Sequence, residues 1–172
     1  MSELILCGRG GQGVVFLTKL MGQILTEEGR DVVSSETHGM AVRGGSINSH
    51  LRIGSFSSPL VRQGHADFLV SLDATETDNN RHLLKPNGIV IENSTLDDEP
   101  NVLRVDAGAR AKAFGRKQLE NVVILGYCTT IDGFPVGTEE VIRQLSKDPR
   151  ERVRDLNLKA FESGVTAGRR TS

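Results

Sequence analysis

The sequence predicts an α/β fold, an open and mostly parallel sheet flanked by helices, with a Rossmann-like first strand-to-helix turn and helices at its C-terminal end. Three observations predict it. Short apolar runs alternate with stretches of helical periodicity along nearly all of the 172 residues. A glycine-rich turn, Gly8-Arg9-Gly10-Gly11-Gln12-Gly13, joins the first strand to the first helix, the place where open sheets of this class bind ligands. Neither a repeat nor a linker interrupts the chain, and 37% hydrophobic residues over this length suit one core but not two, so residues 1–172 read as a single domain.

The elements follow in order. Leu4-Ile5-Leu6-Cys7 is an apolar run bounded by Gly8, hence a buried strand. From Val14 to Glu28, the residues Val14, Leu17, Met21, Ile24 and Leu25 recur at steps of three and four, which predicts a helix that Gly29 stops. Asp31 to Ser35 is a second strand, and Glu36 to Gly45 lacks periodicity and reads as a loop. Strict alternation from Ser46 places Ile47, Ser49, Leu51 and Ile53 on one face and Asn48, His50 and Arg52 on the other, a half-exposed strand.

A Ser-Pro turn at Ser57-Ser58-Pro59 leads to a buried strand at Phe68–Leu72, then to a helix opened by Asp73 with Glu76 as its capping-box partner. Lys85-Pro86-Asn87-Gly88 closes that helix. Ile89–Ile91 and Val102–Val105 are strands separated by a polar loop, and Gly108 to Lys117 is helical. Periodicity does not assign the apolar run Asn121–Thr130 to strand or helix. One terminal helix begins near Thr138; the other has Asp148 as cap and Pro149 at its first position, buries Val153, Leu156, Ala160 and Phe161, and ends in a frayed Arg169–Ser172 tail.

Composition narrows the function. With 21 Lys+Arg against 22 Asp+Glu the net charge is −1, so a nucleic-acid polyanion has no global attraction to exploit, and 4% aromatics without Trp leave few base-stacking platforms. No apolar run reaches the roughly 20 residues that span a bilayer, and Met1-Ser2-Glu3 leads straight into a strand, so a cytoplasmic protein with no membrane partner is expected. Cys7 and Cys128 both sit in apolar segments and read as reduced core thiols. Two cysteines cannot build a four-thiolate zinc or iron–sulfur site within one chain.

Three features lie where a ligand would bind. In the glycine turn, glycines permit close approach of a phosphate while free N–H groups at the helix start favour an anion; the alternative is that they only let the helix pack on the sheet. As a P-loop the turn fails, because Val14-Val15 stand where Lys and Ser/Thr are required. As a dinucleotide site it needs an acidic residue about 20 positions on, for which Glu36 is the candidate.

The second feature is Glu36 to Ser46, where Arg43 offers a planar fork and Gly44-Gly45 exposes backbone N–H groups to a phosphate or carboxylate. An ion pair with Glu36 or with another subunit is the competing role for Arg43, and His38 reads as a hydrogen-bonded loop histidine. Third, Asn48, His50 and Arg52 form either a solvated face or, with Arg9 and Arg43, a local positive patch. His65 and His82 lack metal-ligand spacing and receive no role.

Gly8-x-Gly10-Gly11-Gln12-Gly13-Val14, then Arg43-Gly44-Gly45-Ser46 and a strand ending Leu51-Arg52-Ile53, resemble the gamma subunits of 2-oxoacid:ferredoxin oxidoreductases. Ser58-Pro59, Ala66-Asp67, Asn121 with Leu125-Gly126, and Asn157-Leu158-Lys159-Ala160-Phe161-Glu162-x-Gly164 are similar to later landmarks, so the likeness spans nearly the whole chain. His38-Gly39-Met40-Ala41 departs from the Tyr-Gly-Pro-Glu of pyruvate-type gamma subunits and resembles the beta subunit of indolepyruvate ferredoxin oxidoreductase, of the same superfamily.

The resemblance implies a complex that oxidatively decarboxylates a 2-oxoacid, pyruvate-like or indolepyruvate-like, with thiamine diphosphate and coenzyme A, passing electrons through iron–sulfur clusters to ferredoxin. This chain has no Gly-Asp-Gly followed by an Asn pair, so thiamine diphosphate, magnesium and the clusters are expected in partner subunits. What remains for it is a noncatalytic role: scaffolding, closure over the active site, and coenzyme A contact through Gly8, Gly10, Gly11, Gln12, Gly13, Arg43, Gly44, Gly45 and Ser46, with Arg52 a further candidate. A free-standing NAD(P)-binding oxidoreductase or sensor is the alternative.

Overall fold

A computed structural model describes residues 1–39, 44–97 and 99–170. Its strands are β1 (Ser2–Arg9), β2 (Val32–His38), β3 (Ser46–Ile53), β4 (Ala66–Ser71), β5 (Leu84–Asn93) and β6 (Val102–Val105), joined in one sheet of order β2-β3-β1-β4-β5-β6. The pairings β1–β4, β4–β5 and β5–β6 are parallel, whereas β3 runs antiparallel to both β1 and β2. Five strands therefore point one way and β3 the other, the open α/β sheet that the sequence predicts.

Helices α1 (Val14–Glu27), α2 (Ala74–Asn80), α3 (Ala107–Lys112), α4 (Glu120–Cys128), α5 (Thr138–Leu145) and α6 (Glu151–Arg169) complete the chain, with single 3₁₀ turns at Arg81–Leu83 and Lys117–Leu119. Central strands of a parallel sheet are buried on both faces, which is why β1 reads as an unbroken apolar run. Its side chains alternate between two cores. Leu4 and Leu6 join the larger core with α1, α4 and α6, and Ile5 and Cys7 join a smaller one with Val61, Leu69, Leu83 and Val90. Among the described residues no helix is long and apolar enough to cross a membrane.

The run Asn121–Thr130, unassigned by periodicity, is mostly α4. All nine residues of this helix are buried, so it has no polar face to generate a period. It packs on α6 at van der Waals limits: a Cβ on Gly126 would lie 2.1 Å from the Phe161 carbonyl oxygen, and one on Gly164 would lie 1.9 Å from that of Val123. Phe161 between them is fully buried.

Several boundaries differ from expectation. β2 continues to His38, so the first part of the expected loop is strand, and residues 40–43 of that loop lie outside the described residues. Lys85-Pro86-Asn87-Gly88 does not close a helix; it falls inside β5 at a register irregularity, between the Ala66–Leu84 and Phe68–Ile89 pairs, where a proline without an N–H costs no ladder bond. α3 stops at Lys112, ahead of Gly115 in its left-handed conformation at φ 72°. α6 begins at Glu151 rather than at Pro149; the Asp148 carboxylate accepts the Arg150 N–H at 2.9 Å, just before the helix. Val153 and Leu156 are half-buried, and burial shifts to Gly164, Val165, Ala167 and Gly168.

The polar face of β3 is not solvated. Asn48 donates to Asn80 of α2, and the segment after β3 covers His50 and Arg52. Arg52 Nη1 donates to the Ser58 and Leu60 carbonyls at 2.7 and 3.1 Å, its guanidinium stands 3.8 Å over the Phe56 ring, and Nε is 2.9 Å from Glu3 Oε2. His50 Nδ1 accepts the Val61 N–H at 3.1 Å, which requires a neutral ring.

Burial, with Arg52 nearby, pushes the His50 pKa below its ordinary value. The unfolded chain then binds more protons than the folded one, so stability is level at higher pH and falls as pH drops below about 6.5. Urea unfolding at pH 7.5 and 5.5 is expected to show this loss, and His50→Asn, which keeps an acceptor but cannot titrate, is expected to remove its histidine component. An equal pH slope in both proteins would refute the assignment.

Candidate functional site

The carboxyl ends of β1, β4 and β5 meet the N-termini of α1, α3 and α4, and the glycine turn lies at this junction. Gly11 and Gly13 adopt φ of 97° and 87°, a region closed to most side chains, so the tight turn exists only with glycine there. Among the described residues, α1 starts from Gly13 with no side-chain cap, and its first turn holds no acidic residue, a helix start whose dipole favours an anion.

The Gln12 side chain is engaged within the protein. Its Oε1 accepts the Arg9 N–H at 2.7 Å, and its Nε2 donates to the Leu72 carbonyl at 3.0 Å and to Glu120 Oε1 at 3.3 Å. The side chain closes the turn upon itself and ties it to the end of β4. Asn93 continues the bracket, donating to the Leu72 carbonyl at 3.2 Å while its Oδ1 accepts the Ala107 N–H at 2.9 Å, at the start of α3. Behind the turn, a Cβ at Gly13 would lie 2.1 Å from Asn121 Nδ2. Burial pushes the Glu120 carboxyl above its ordinary pKa, opposed by the charge of Lys117 and by the Gln12 and Asn93 amides.

The second glycine pair meets the first. Gly10 donates its N–H to the Gly45 carbonyl at 2.9 Å, and a Cβ on Gly10 would lie 3.3 Å from the Gly44 nitrogen. Among the described residues, nothing lies within 4 Å of where a side chain on Gly11 or Gly44 would project. Gly8 is enclosed instead, with Gln12, Leu72 and Val14 about its missing side chain. Ser46 is engaged as well, its hydroxyl donating to Glu76 Oε2 at 2.6 Å and so fixing the end of the loop to α2. Glu76 thus serves Ser46 rather than a capping box, while Asp73 does cap α2 through the Thr75 N–H.

Arg9 reaches across to the same helix: Nη2 donates to Thr75 Oγ1 at 2.9 Å, and Nε lies 3.4 Å from Asp73 Oδ2. Arg52, expected as a further phosphate contact, is committed to residues 54–65 and does not join this site. Arg43 lies outside the described residues.

The sequence matches the pyruvate ferredoxin/flavodoxin oxidoreductase family over residues 3–167. The chain belongs to this family. Among its relatives, the indolepyruvate oxidoreductase subunit IorB of Archaeoglobus fulgidus is 31% identical over 186 residues, covering 94% of this chain and 92% of the relative. The keto/oxoacid ferredoxin oxidoreductase gamma subunit from Geobacter sulfurreducens superposes with a TM-score of 0.80 at 26% identity, over 99% of each chain. The pyruvate oxidoreductase subunit PORC of Thermotoga maritima shares the fold, with a TM-score of 0.81 over 96% of this chain and 95% of its own, at 23% identity. The expectation of a 2-oxoacid:ferredoxin oxidoreductase subunit stands.

Sequence reasoning placed the glycine turn, Gly44-Gly45, Gln12 and Ser46 at the ligand; the structure brings these segments together and gives Gln12 and Ser46 partners within the protein as well. It missed Asn93 and Glu120, which lie at the ends of elements far apart in sequence and carry no local signal. Asp73 was legible as a helix cap, from its position before an acidic fourth residue.

Proposed function

We propose that this chain is the noncatalytic gamma-type subunit of a thiamine diphosphate-dependent 2-oxoacid oxidoreductase, a scaffold that closes over a partner's active site and contacts coenzyme A. The observation that carries the coenzyme A reading is the junction of two glycine turns, with open space, among the described residues, at Gly11 and Gly44 beside the uncapped start of α1. Backbone N–H groups there suit the phosphates of coenzyme A, and Arg43 supplies a guanidinium from the same loop. Gly8, Gln12, Gly13 and Ser46 shape the turns, whereas Gly10, Gly11, Gly44 and Gly45 present them.

Thiamine diphosphate with magnesium and the iron–sulfur clusters, in partner subunits, supply decarboxylation and electron transfer to ferredoxin. The thiols of this chain support that division, since both are buried and burial pushes Cys7 up to about 12, far from a ligating thiolate. Indolepyruvate is the favoured oxoacid, from His38-Gly39-Met40-Ala41 and from the IorB relative. The complex is cytoplasmic.

The NAD(P)-binding alternative is disfavoured by topology. β3 stands between β1 and β2, so Glu36 pairs with Ser49 of β3 instead of ending a strand beside β1, where a ribose would be held.

Gly10→Asp combined with Arg43→Ala tests the cofactor reading in the purified complex, by calorimetric titration with coenzyme A. A weakening of at least about tenfold, or about 1.4 kcal/mol, is expected. Unchanged affinity refutes coenzyme A contact here, and a chain fully active without partners refutes the subunit reading.

A further inference from the structure

The first two turns of α6 and the connection after α3 border a cleft of about 520 Å³. Its apolar lining is Phe114 and Leu156, both half-buried and packed on the main core. Its charged lining comprises Arg116, Arg152 and Lys159 against Glu151 and Asp155, with exposed Lys112 and Lys117 in the same connection.

Many other cations of the chain are paired. Arg9, Arg52, Arg81, Lys85, Arg104, Lys147 and Arg150 each lie within 4 Å of a carboxylate. The side chains of Arg116, Arg152 and Lys159 make no hydrogen bond or ion pair among the described residues, and Asp155 is occupied by Arg154 at 3.5 Å. A chain of net charge −1 thus leaves unpaired positive charge around one apolar-floored cleft.

The walls are preformed. Arg110 Nη1 donates to the Ser163 carbonyl and hydroxyl, both at 3.2 Å, tying α3 to α6, and the glycine contacts of α4 hold α6 from the other side. A rigid cleft loses little entropy when filled. Its volume accommodates one large apolar side chain with polar flanks.

We propose that this cleft docks an acidic segment of a neighbouring subunit, with one aromatic or leucine side chain seated on Phe114 and Leu156 and flanking carboxylates paired to Arg116, Arg152 and Lys159. The proposal rests on the subunit reading above. It places an interface on α6, separate from the cofactor turns.

The test is co-expression with the thiamine-binding chain, with complex affinity measured on the purified subunits at low and high salt. The triple variant Arg116→Glu, Arg152→Glu, Lys159→Glu is expected to weaken assembly at least tenfold. Lys19→Glu, Arg62→Glu, Arg143→Glu, an equal charge change elsewhere on the surface, is expected to leave it within twofold. Wild-type affinity is expected to fall as salt rises. Should the first variant lose its circular dichroism signal, the glutamine series at the same three positions replaces it, with at least threefold weakening expected. Tight assembly by the folded cleft variant, or equal loss in the matched variant, overturns the docking site and leaves the subunit reading intact. A wild-type chain that never co-purifies overturns the subunit reading itself.

Discussion

Gly164→Ala is expected to lower stability by about 3 kcal/mol, which for a domain of this size is a fall in melting temperature of about 6–12 °C. In an isolated helix the same change would be favourable by about 1 kcal/mol. The sign reverses because the new methyl would stand 1.9 Å from the Val123 carbonyl oxygen and 2.9 Å from the Tyr127 nitrogen, both backbone atoms that no rotamer change can move aside. Helices α4 and α6 must part, and Phe161 loses its packing between them. Gly22→Ala in α1 is the internal control: its methyl meets only Leu51 and Val32 side chains at 4.0 Å, so a small gain is expected. Thermal melts of both variants decide the matter. Equal melting temperatures would mean that the seam yields freely and that its tightness contributes nothing.

Gln12→Ala is expected to be the second most damaging change, and to damage folding and ligand affinity together. Removing the amide strips the Arg9 N–H of its 2.7 Å acceptor and the Leu72 carbonyl of a donor, and it takes a hydrogen bond from the buried Glu120 carboxyl. Buried polar groups left without partners cost about 1–3 kcal/mol each, with partial relief from water at this half-buried site, so a loss of about 2–4 kcal/mol is expected. If Gln12 shapes the turn rather than touching the ligand, coenzyme A affinity falls with the stability of the turn, and amide exchange at Arg9 and Gly10 accelerates in the free protein. A variant that binds weakly while its melting temperature and exchange stay at wild-type values would instead make Gln12 a direct ligand contact.

Much of this architecture was legible in the sequence because local patterns and tertiary roles agree. The unbroken run at Leu4–Cys7 is a two-sided strand, the three-and-four spacing from Val14 is the buried stripe of α1, and Gly8–Gly13 occupies the turn between them. Legibility failed where burial erased a period or where a distant segment supplied it. α4 has no polar side to mark it as a helix. β3 alternates as though half-solvated, yet Arg52 and His50 are covered by residues 54–65, whose carbonyls and N–H groups complete them. The polar bracket of Gln12, Asn93 and Glu120 is assembled from three separate element ends, and only Gln12 lies in a motif, one that says nothing of its two distant partners. The bond from Ser46 to Glu76 left no trace in the sequence because the two meet only once α2 packs on the sheet.

The reversed strand has a consequence for the order in which the chain matures. β2 and β3 are neighbours in sequence and can zip early, but the glycine turns meet only when β3 also docks along β1, pairing Arg9 with Ser46 and letting Gly10 bond Gly45. Contacts between distant segments form late in folding. The junction of the two glycine turns is therefore a product of completed sheet assembly, and a partly opened chain lacks it. Under the proposed function, coenzyme A contact would then report that the subunit beneath it has finished folding.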